Sequence, residues 1–405
     1  MRILFVDEYF PPVHSGGAEI SAREIASEIG RNHEVTVFTP SHGGLVGTEE
    51  AEHFQIFRYR NRFNPTGSLL QQKMLFFLEM TKKLSEFVRV FRPDIIHAQN
   101  ALSTPAVANT AEKHEMVGVA HVRDHRFECF TSRVACLSHR DATICDFARC
   151  VENPLYTLAF PYARLITRCI RRSLVKCGRA IAVSNYLKNE VLRNVPIDVR
   201  VSYDGADLEK IHRIRPPKDI YGRSYEPDST IVYAGGFHKF KGIFELLHGF
   251  RMALRKLGHI SLLIAGDGPC RRDVQELIRL YHMKENVSLL SSLPHESMIS
   301  AMKASGLAIV PSLLPEAGSR VIIEALACAK PVLASDRGAN AEIIGDAGMT
   351  FPPTADDIAH AILTLLNDRD KLQELSNLAK ERSSAFSLKS TCTQIIQSYE
   401  DWLRR

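Results

Sequence analysis

The sequence has no run of about 18 uncharged apolar residues, so it predicts no membrane-spanning helix. Asp7 and Glu8 interrupt the first ten residues where a signal peptide needs its apolar core, and we therefore expect a cytoplasmic protein. Over 405 residues the net charge is only +5, which is too small to predict nucleic acid as a partner. Neither the glycine fingerprint of dinucleotide-binding proteins nor the P-loop motif occurs, so both of those sites are excluded.

Cysteine is present in an odd number, nine, and a reducing cytosol favours thiols over disulfides. Four of these residues lie close together in the chain: Cys129, Cys136, Cys145 and Cys150. Four thiolates can bind zinc or an iron–sulfur cluster, but the spacing lacks a C-x2-C pair. We therefore predict no metal site and expect free thiols or a disulfide. The alternative is a metal bound by these four cysteines.

Short β-branched runs alternate with longer helical patterns, and many of these runs are apolar on both faces. This pattern predicts a parallel sheet covered by helices on each side, as in a doubly wound α/β domain. In the first half of the chain we predict helices over Ala18–Gly30 and Leu69–Phe91. The strands predicted there are Arg2–Val6, Glu34–Phe38, Phe54–Tyr59, Ile95–Ala98, Val117–Val122 and Ala180–Ser184.

The periodicity weakens over residues 204–228, where Pro216, Pro217, Gly222 and Pro227 predict a linker. We therefore expect one domain over residues 1–203 and a second α/β domain over residues 229–385. Because ligand loops follow the carboxyl ends of parallel strands, a cleft between the two lobes is the expected site. The strands predicted in the second domain are Ile231–Ala234, Ser261–Ala265, Val287–Leu290, Leu307–Val310 and Pro331–Ala334.

A glycine-rich turn, Ser15 to Glu19, joins the first predicted strand to the first helix. Gly16 and Gly17 would let backbone N–H groups approach an anion, so the turn could hold a diphosphate at the helix N-terminus. The alternative is an ordinary turn in which Ser15 caps the helix.

In the second domain, glycine-rich turns again follow strands: Gly235 and Gly236 precede Lys241, and Gly268 lies in a second turn. A lysine at such a strand end can neutralise phosphate charge, although a solvated loop lysine is the alternative.

Glu316 and Glu324 flank the start of a predicted apolar helix, Val321–Ala329. A carboxylate on an apolar helix face is costly unless it is paired or binds a ligand, and carboxylates accept several hydrogen bonds from sugar hydroxyls. We therefore predict that the two hold hydroxyl-bearing parts of a ligand whose phosphate lies at the helix N-terminus. The alternative is a helix-start acid together with a buried ion pair.

The segment from Glu316 to Glu324 resembles the E-x7-E motif of the family 4 retaining glycosyltransferases. The resemblance covers nearly the whole chain and implies the GT-B fold, two Rossmann-like domains facing a central cleft. It also implies that residues 386–405 form a helix that crosses back to the first domain. Other motifs in that family's order are Ser15–Glu19, Ala182–Asn185, Lys241–Gly242, Gly266–Pro269, Pro331–Val332 and Gly338–Glu342.

The resemblance implies a nucleotide-sugar donor, UDP- or GDP-linked, and a hydroxyl acceptor that is lipid-linked in some members, with no metal or other cofactor. It makes Glu316 a ligand of the sugar hydroxyls and Glu324 a ligand of the ribose hydroxyls. The catalytic candidates are Asp124, Lys241 and Glu316. The donor-binding candidates are Gly16, Gly17, Gly235, Lys241, Gly268, Glu316, Gly318, Ser319, Arg320 and Glu324.

Two positions depart from the family pattern. Gly236 stands where an arginine is usual, so one phosphate cation is missing, and Arg320 or Lys239 is the candidate substitute. Arg123 stands where many members have a histidine before Asp124, and we place it on the acceptor side.

The resemblance implies a retaining reaction in which Lys241 and helix N-terminal amides stabilise the departing diphosphate. A retaining glycosidase holds a second carboxylate about 5–5.5 Å from the first, and we identify no such nucleophile. We therefore expect a same-face reaction in which the donor phosphate takes the acceptor's proton. The rival hypotheses are a nucleotide-sugar epimerase and a non-catalytic nucleotide-sugar-binding protein.

Residues 153–189 contain no acidic residue, and the basic residues there predict a cationic helix face. Such a face could meet an anionic membrane or a phosphate-bearing acceptor, and a solvated face is the alternative. Leu75, Phe76 and Leu78 on the preceding helix could also face an acceptor or a bilayer. The basic positions are Arg164, Arg168, Arg171 or Arg172, Lys176 and Arg179.

Overall fold

The computed structural model describes residues 1–13, 16–63, 72–130, 160–217, 226–291 and 293–405. The chain forms two compact units, which we call unit 1 (residues 1–205 and 388–405) and unit 2 (residues 206–387). Each unit is built around its own sheet and core, so each is described separately.

Unit 1 contains an eight-stranded sheet in the order β3-β4-β2-β1-β5-β6-β7-β8 among the described residues. Its neighbouring strands are parallel except β3, which is antiparallel to β4 at the sheet edge. The strands are β1 Arg2–Val6, β2 Glu34–Pro40, β3 Gly47–Ala51, β4 Phe54–Tyr59, β5 Ile95–Ala98, β6 Val117–Val122, β7 Arg179–Ala182 and β8 Asp198–Val201. The helices of the N-terminal part are α1 Gly17–Gly30, α2 Gln72–Phe91, α3 Thr104–Lys113, α4 Phe160–Cys177 and α5 Asn185–Asn194.

The last helix of the chain, Leu388–Leu403, belongs to unit 1, where it packs against α1. Trp402, the only tryptophan, is buried here, and its Nε1 donates a hydrogen bond to Asp198 Oδ2 at 3.0 Å. Tyr399 is fully buried among the side chains of β1 and α1. The chain's C-terminus therefore completes the core of the unit that contains its N-terminus.

Unit 2 contains a six-stranded parallel sheet in the order β11-β10-β9-β12-β13-β14. The strands are β9 Thr230–Ala234, β10 Ser261–Ala265, β11 Val287–Leu290, β12 Leu307–Val310, β13 Val332–Ser335 and β14 Gly348–Phe351. The helices are α6 Leu208–Arg213, α7 Ile243–Leu257, α8 Arg271–Leu280, α9 His295–Lys303, α10 Arg320–Ala327, α11 Asn340–Ile344, α12 Ala355–Leu366 and α13 Arg369–Ser383; the helix Leu388–Leu403 of unit 1 is α14.

The predicted linker over residues 204–228 is partly helical. Asp207 accepts a hydrogen bond from the backbone N–H of Lys210 and so caps α6, and Pro227 begins a one-turn helix before β9. Residues 218–225 lie outside the described residues. The change from unit 1 to unit 2 falls after Gly205, at the start of this segment.

The prediction of two Rossmann-like α/β domains is confirmed, and the predicted strands are all present within two residues of their expected ends. Three further edge strands, β3, β8 and β14, were not predicted, because their segments contain glycine, polar or charged residues and lack a continuous apolar run. One side-chain prediction is wrong: Phe76 is fully buried, whereas Leu75 and Leu78 are exposed. In the part of the chain that the structure describes, every helix is too short or too polar to cross a bilayer.

Candidate functional site

The candidate site in unit 2 lies where the strand order reverses. The chain runs from β9 outward through β10 and β11, then returns to place β12 on the other side of β9. Loops that leave neighbouring strands at such a point diverge and open a crevice at the carboxyl edge of the sheet. The loop after β9 carries Lys241, and the loop after β12 carries Glu316.

Glu316 is held between these two loops by charge-assisted hydrogen bonds. Lys241 Nζ donates to Glu316 Oε1 at 2.7 Å, and the hydroxyl of Ser312 donates to the same oxygen. Both charged side chains are accessible, with 34% of Lys241 and 17% of Glu316 exposed. Lys241, predicted to bind phosphate, and Glu316, predicted to bind sugar hydroxyls, are therefore in direct contact, and both side chains are accessible to a ligand.

Gly338, which follows β13, fixes the backbone of Glu316 from the other side. The two residues form an isolated parallel bridge, and Ala339 N donates to Glu316 O at 2.8 Å. A Cβ on Gly338 would lie 2.2 Å from that carbonyl oxygen, and the glycine has a φ of +66°. Only glycine allows this close approach.

The other predicted glycines serve the backbone of the site. Gly235 N donates to Ala265 O at 3.0 Å, which joins the carboxyl ends of β9 and β10. Gly268 lies so close to Phe237 that a Cβ would be 2.7 Å from its carbonyl oxygen. Gly268 therefore has a structural reason to be glycine, and a Cβ on Gly235 would lie 3.0 Å from the Tyr233 hydroxyl oxygen. The contact of both residues with a donor stays a prediction.

Gly318 and Ser319 precede α10, and Ser319 is its N-cap residue. The N-terminus of a helix carries a partial positive charge and presents backbone N–H groups, so this position suits an anion. No acidic side chain lies in the first turn of α10 to occupy it. The prediction that these amides meet a diphosphate fits this geometry.

Glu324 is buried on α10, with 4% of the residue exposed, and it has two partners. Its Oε1 accepts from Arg320 Nε at 2.7 Å and from His295 Nε2 at 2.7 Å. Burial alone would raise the pKa of Glu324, but the His295 and Arg320 donors outweigh it and lower the pKa below its usual value. The buried ion pair is thus present, and it commits the Nε of Arg320 to Glu324.

Unit 1 has a second cluster of charged groups at its own reversal of strand order, between β1 and β5. Asp7 follows β1 and accepts a hydrogen bond from Asn100 Nδ2. Burial, followed by the negative charge of Glu19, raises the pKa of Asp7 to about 7. Burial and the Asp7 charge also raise the pKa of Glu8 well above its usual value.

Asp124, which follows β6, is held by Arg126. Arg126 Nε lies 3.3 Å from Asp124 Oδ2, and Arg126 N donates to Asp124 Oδ1 at 2.9 Å. Arg126 Nη1 also approaches Glu8 Oε1 at 3.5 Å. Burial and the Arg126 charge lower the pKa of Lys73 nearby to about 8. The sequence singled out only Asp124 from this group.

The side chain of Arg123 is buried, and its guanidinium pairs with other groups of unit 1. Its Nη1 pairs with Asp204, and its Nε donates to Gln99 O at 3.1 Å. Only 5% of the Arg123 side chain is exposed, so direct contact with an acceptor would require this network to open. The prediction that Arg123 faces the acceptor has no support in this geometry.

The predicted phosphate seat at α1 holds a carboxylate of the chain itself. Gly16 is the N-cap residue of α1, and its backbone N–H donates to Glu19 Oε2 at 2.9 Å. Gly17 begins the helix. Ser15, the alternative cap, lies outside the described residues.

Of the four clustered cysteines only Cys129 is described; Cys136, Cys145 and Cys150 lie outside the described residues. Among the residues that the structure does describe, no group of three or more His, Cys, Asp or Glu could hold a metal ion. A metal at the cysteine cluster therefore stays an alternative to free thiols or a disulfide.

The predicted basic face on α4 is only partly free. Arg164, Arg168 and Arg172 are exposed, and so are the neighbouring apolar residues Leu165 and Val175. Two of the other basic residues have partners within unit 1. Arg171 Nε donates to Phe127 O at 3.3 Å, and Lys176 Nζ donates to Asn109 Oδ1 at 2.8 Å and pairs with Glu112. Arg179 lies beyond the helix, at the start of β7.

His97 predicts how the stability of unit 1 depends on pH. Burial, followed by the charge of Arg123, lowers the pKa of His97 to about 3, against about 6.5 in an unfolded chain. As the pH falls below about 6.5, the unfolded chain binds a proton that the folded chain does not, so this histidine makes unfolding easier. Asp7 and Glu8 have the opposite effect on stability. Because their pKa values are raised in the folded chain, it binds protons that the unfolded chain does not, and these two residues make unfolding harder as the pH falls.

We therefore expect His97→Gln to remove the share of the acid-induced loss of stability that His97 contributes. Relative to the wild type, its free energy of unfolding should gain about 1.4 kcal/mol for each unit by which the pH falls below about 6. Urea unfolding across this range measures the difference, with the exposed His259→Gln as control. Parallel stability curves for His97→Gln and the wild type would contradict the expectation.

Two family profiles match the chain, one in each unit. Residues 15–210 match the family described as Glycosyltransferase Family 4, and residues 220–382 match the one described as Glycosyl transferases group 1. The chain belongs to the family 4 glycosyltransferases.

Curated relatives agree with this assignment. An α-D-kanosaminyltransferase of Streptomyces kanamyceticus is 26% identical over 243 residues, which cover 57% of this chain and 62% of the relative. A phosphatidylinositol N-acetylglucosaminyltransferase subunit from Arabidopsis thaliana is 23% identical over 371 residues, which cover 89% of this chain and 73% of the relative. For the kanosaminyltransferase and three further relatives, the chain spans only 40–62% of the relative's length.

Solved structures share the fold over the full chain. Sucrose-phosphate synthase from Thermosynechococcus elongatus has a TM-score of 0.78, with 19% identity and 100% of both chains covered. Anabaena HepE in complex with UDP and glucose has a TM-score of 0.71, with 19% identity and 99% of both chains covered. The predicted GT-B fold is thereby confirmed.

Several residues of these clusters were not predicted from the sequence. His295 and Ser312 supply hydrogen bonds to Glu324 and Glu316, and Arg126 holds Asp124. Ser312 and Arg126 lie in loops directly after strands, which is the signal that could have found them. His295 is the first residue of α9, whereas Glu324 lies on α10, and no local sequence pattern links the two residues.

Proposed function

We propose that the protein is a retaining glycosyltransferase that moves a sugar from a nucleotide diphosphate sugar, UDP- or GDP-linked, to a hydroxyl acceptor in glycan, polysaccharide or glycolipid synthesis. The observation that carries the proposal is the Lys241–Glu316 pair at the reversal of strand order in unit 2. A cation, an accessible carboxylate and a helix N-terminus without an acidic side chain occur together there. This combination suits a ligand that has both phosphate and hydroxyl groups.

In this proposal Lys241 and the amides around Gly318–Arg320 bind the diphosphate, Glu316 the sugar hydroxyls and Glu324 the ribose hydroxyls. The bond from the anomeric carbon to the phosphate oxygen breaks while the acceptor oxygen attacks the same face. The acceptor's proton passes to the departing phosphate oxygen, so configuration is retained and no residue becomes glycosylated. The cation and the amides stabilise the charge that develops on the leaving group.

Ligand-dependent stabilisation tests the donor. A nucleotide sugar that binds the folded protein raises its melting temperature by mass action. At a ligand concentration of 100 Kd, the free energy of unfolding increases by about 2.7 kcal/mol. We expect UDP- or GDP-sugars to shift the transition, and nucleoside monophosphates to shift it less. A panel in which no nucleotide sugar raises the melting temperature would reject the proposal.

Glu316→Ala should weaken donor-sugar binding and slow donor turnover by about ten-fold or more, because hydrogen bonds to a charged group contribute about 1.5–3 kcal/mol each. The free nucleoside diphosphate should lose less affinity, since it lacks the sugar. The matched control is Glu276→Ala on the exposed face of α8, where the carboxylate pairs with exposed Arg272. Unchanged affinity and turnover in Glu316→Ala would remove this residue from the site.

Product analysis separates the rival activities. A transferase releases nucleoside diphosphate and forms a product whose anomeric configuration, read by NMR, matches the donor. An epimerase would convert the donor without an acceptor, and a binding protein would give neither product. An inverted product would reject the retaining mechanism and leave the transferase intact.

We also propose that the exposed part of α4 supports peripheral binding to an anionic membrane. Arg164, Arg168 and Arg172 recur every four residues on α4, with exposed Leu165 next to the first and exposed Val175 after the last, a combination that suits the interface of a charged bilayer. Cosedimentation with vesicles containing anionic lipid should fall when the three arginines become glutamine. Equal binding to neutral vesicles would contradict this part of the proposal.

A further inference from the structure

One oxygen of the buried Glu324 carboxylate is committed to two donors from different parts of unit 2. Arg320 Nε, one helical turn away on α10, and His295 Nε2, at the start of α9, each lie 2.7 Å from Oε1. Because an ionised carboxylate only accepts hydrogen bonds, Nε2 of His295 must carry its proton. The histidine is therefore oriented as a donor towards Glu324.

This arrangement fixes which part of the carboxylate remains for a ligand. Each carboxylate oxygen has about two lone-pair directions, and the two donors fill those of Oε1. Two bonds from two elements also prevent the carboxylate from rotating about its last torsion, which is otherwise broad. Further acceptor capacity therefore resides in Oε2, in a direction set by the two clamping donors.

We propose that His295 is a positioning residue that gives the nucleotide site its selectivity for ribose over 2′-deoxyribose. This inference rests on the proposed function, in which Glu324 binds the ribose hydroxyls. His295 does not touch the nucleotide; it holds Glu324 so that Oε2 meets the 2′- and 3′-hydroxyls together. Arg320 alone holds only Oε1 of the carboxylate and leaves the carboxylate plane free to turn.

The chemistry of the two partners explains why the histidine decides selectivity. Arg320 belongs to the same helix as Glu324, four residues earlier, so the pair moves with α10 and forms a local contact. His295 belongs to α9, with 28% of its side chain exposed, and its hydrogen bond therefore restrains Glu324 from outside α10. Loss of the external donor lets the carboxylate sample orientations that serve one hydroxyl or neither.

The test is a comparison of UDP with 2′-deoxy-UDP, and of GDP with 2′-deoxy-GDP, by calorimetry on the full-length protein. The wild type should bind the ribonucleotide about ten-fold more tightly than the deoxynucleotide, the value of one well-placed hydrogen bond. His295→Ala should bind the ribonucleotide about ten-fold more weakly and lose most of this preference. His295→Gln, which keeps an N–H donor, should recover part of it, and the exposed His259→Ala should behave as the wild type.

The selectivity ratio separates positioning from a general structural role. A variant that is only less stable loses affinity for both nucleotides equally and keeps the wild-type ratio, which would overturn the inference. An unchanged ribonucleotide affinity in His295→Ala would overturn it as well. Absence of nucleotide binding by the wild type would instead reject the proposed function, on which the inference depends.

Discussion

Lys241→Ala is expected to lower the rate of sugar transfer by about 100- to 1,000-fold, since removal of one preorganised donor to a developing anion costs about 2.7–4 kcal/mol of barrier. Lys241 is the ammonium in contact with Glu316, and residue 236, where the family resemblance leads us to expect a second phosphate cation, is glycine. The variant also removes the ammonium charge from Glu316 Oε1, which keeps its hydrogen bond from the Ser312 hydroxyl. Both effects act on the same step.

Release of the nucleoside diphosphate from a UDP- or GDP-sugar measures this loss. Lys256→Ala, an exposed lysine near the end of α7, removes the same charge from unit 2 away from the loops after β9 and β12 and should leave the rate unchanged. Lys241→Arg should recover part of the rate if positive charge is what matters. A Lys241→Ala rate within three-fold of the wild type, an allowance of less than about 1 kcal/mol, would rule out this role.

Gly338→Ala should lower the free energy of unfolding of unit 2 by about 2–5 kcal/mol and abolish donor binding. A left-handed backbone costs an L-residue about 1–2 kcal/mol, and overpacking against Glu316 adds about 1–3 kcal/mol. The new methyl group would lie 2.2 Å from the Glu316 carbonyl oxygen, so the loop that carries Glu316 must move. Stability and site geometry therefore fail together.

Gly258→Ala is the matched control for Gly338→Ala. Gly258 ends α7 with a φ of +77°, so the same substitution introduces the same backbone strain, but no atom lies within 4 Å of the added Cβ. Urea unfolding should show a loss of about 1–2 kcal/mol for this variant, with nucleotide-sugar affinity kept. Equal losses of stability in the two variants would show that the contact with Glu316 contributes nothing.

The sequence predicted the two sheets because their central strands are apolar on both faces, as β1 and β10 show. It did not predict β3, whose segment Gly47–Ala51 carries two glutamates and pairs only at an edge. The positions of Lys241 and Glu316 after strands were also readable, since strand ends are where loops collect. Their direct contact was not, because it depends on the order of strands in the sheet.

Partners that come from distant segments were beyond the reach of sequence patterns. Glu324 was recognised as a costly carboxylate, yet one of its donors, His295, lies 29 residues earlier on another helix. Arg123 was placed on the acceptor side from the family resemblance, whereas in the structure its guanidinium pairs with Asp204, 81 residues later. A motif indicates which residue carries a charge, and the packing of other elements decides what neutralises it.

The contact between Glu19 and the Gly16 N–H has a consequence for selectivity among small anions. The N-terminus of α1 already holds a tethered carboxylate, whose local concentration far exceeds that of any free ion. Inorganic phosphate or sulfate in solution must therefore evict a resident group before it can bind there. Only an anion that gains contacts elsewhere at the same time would recover the cost of that exchange.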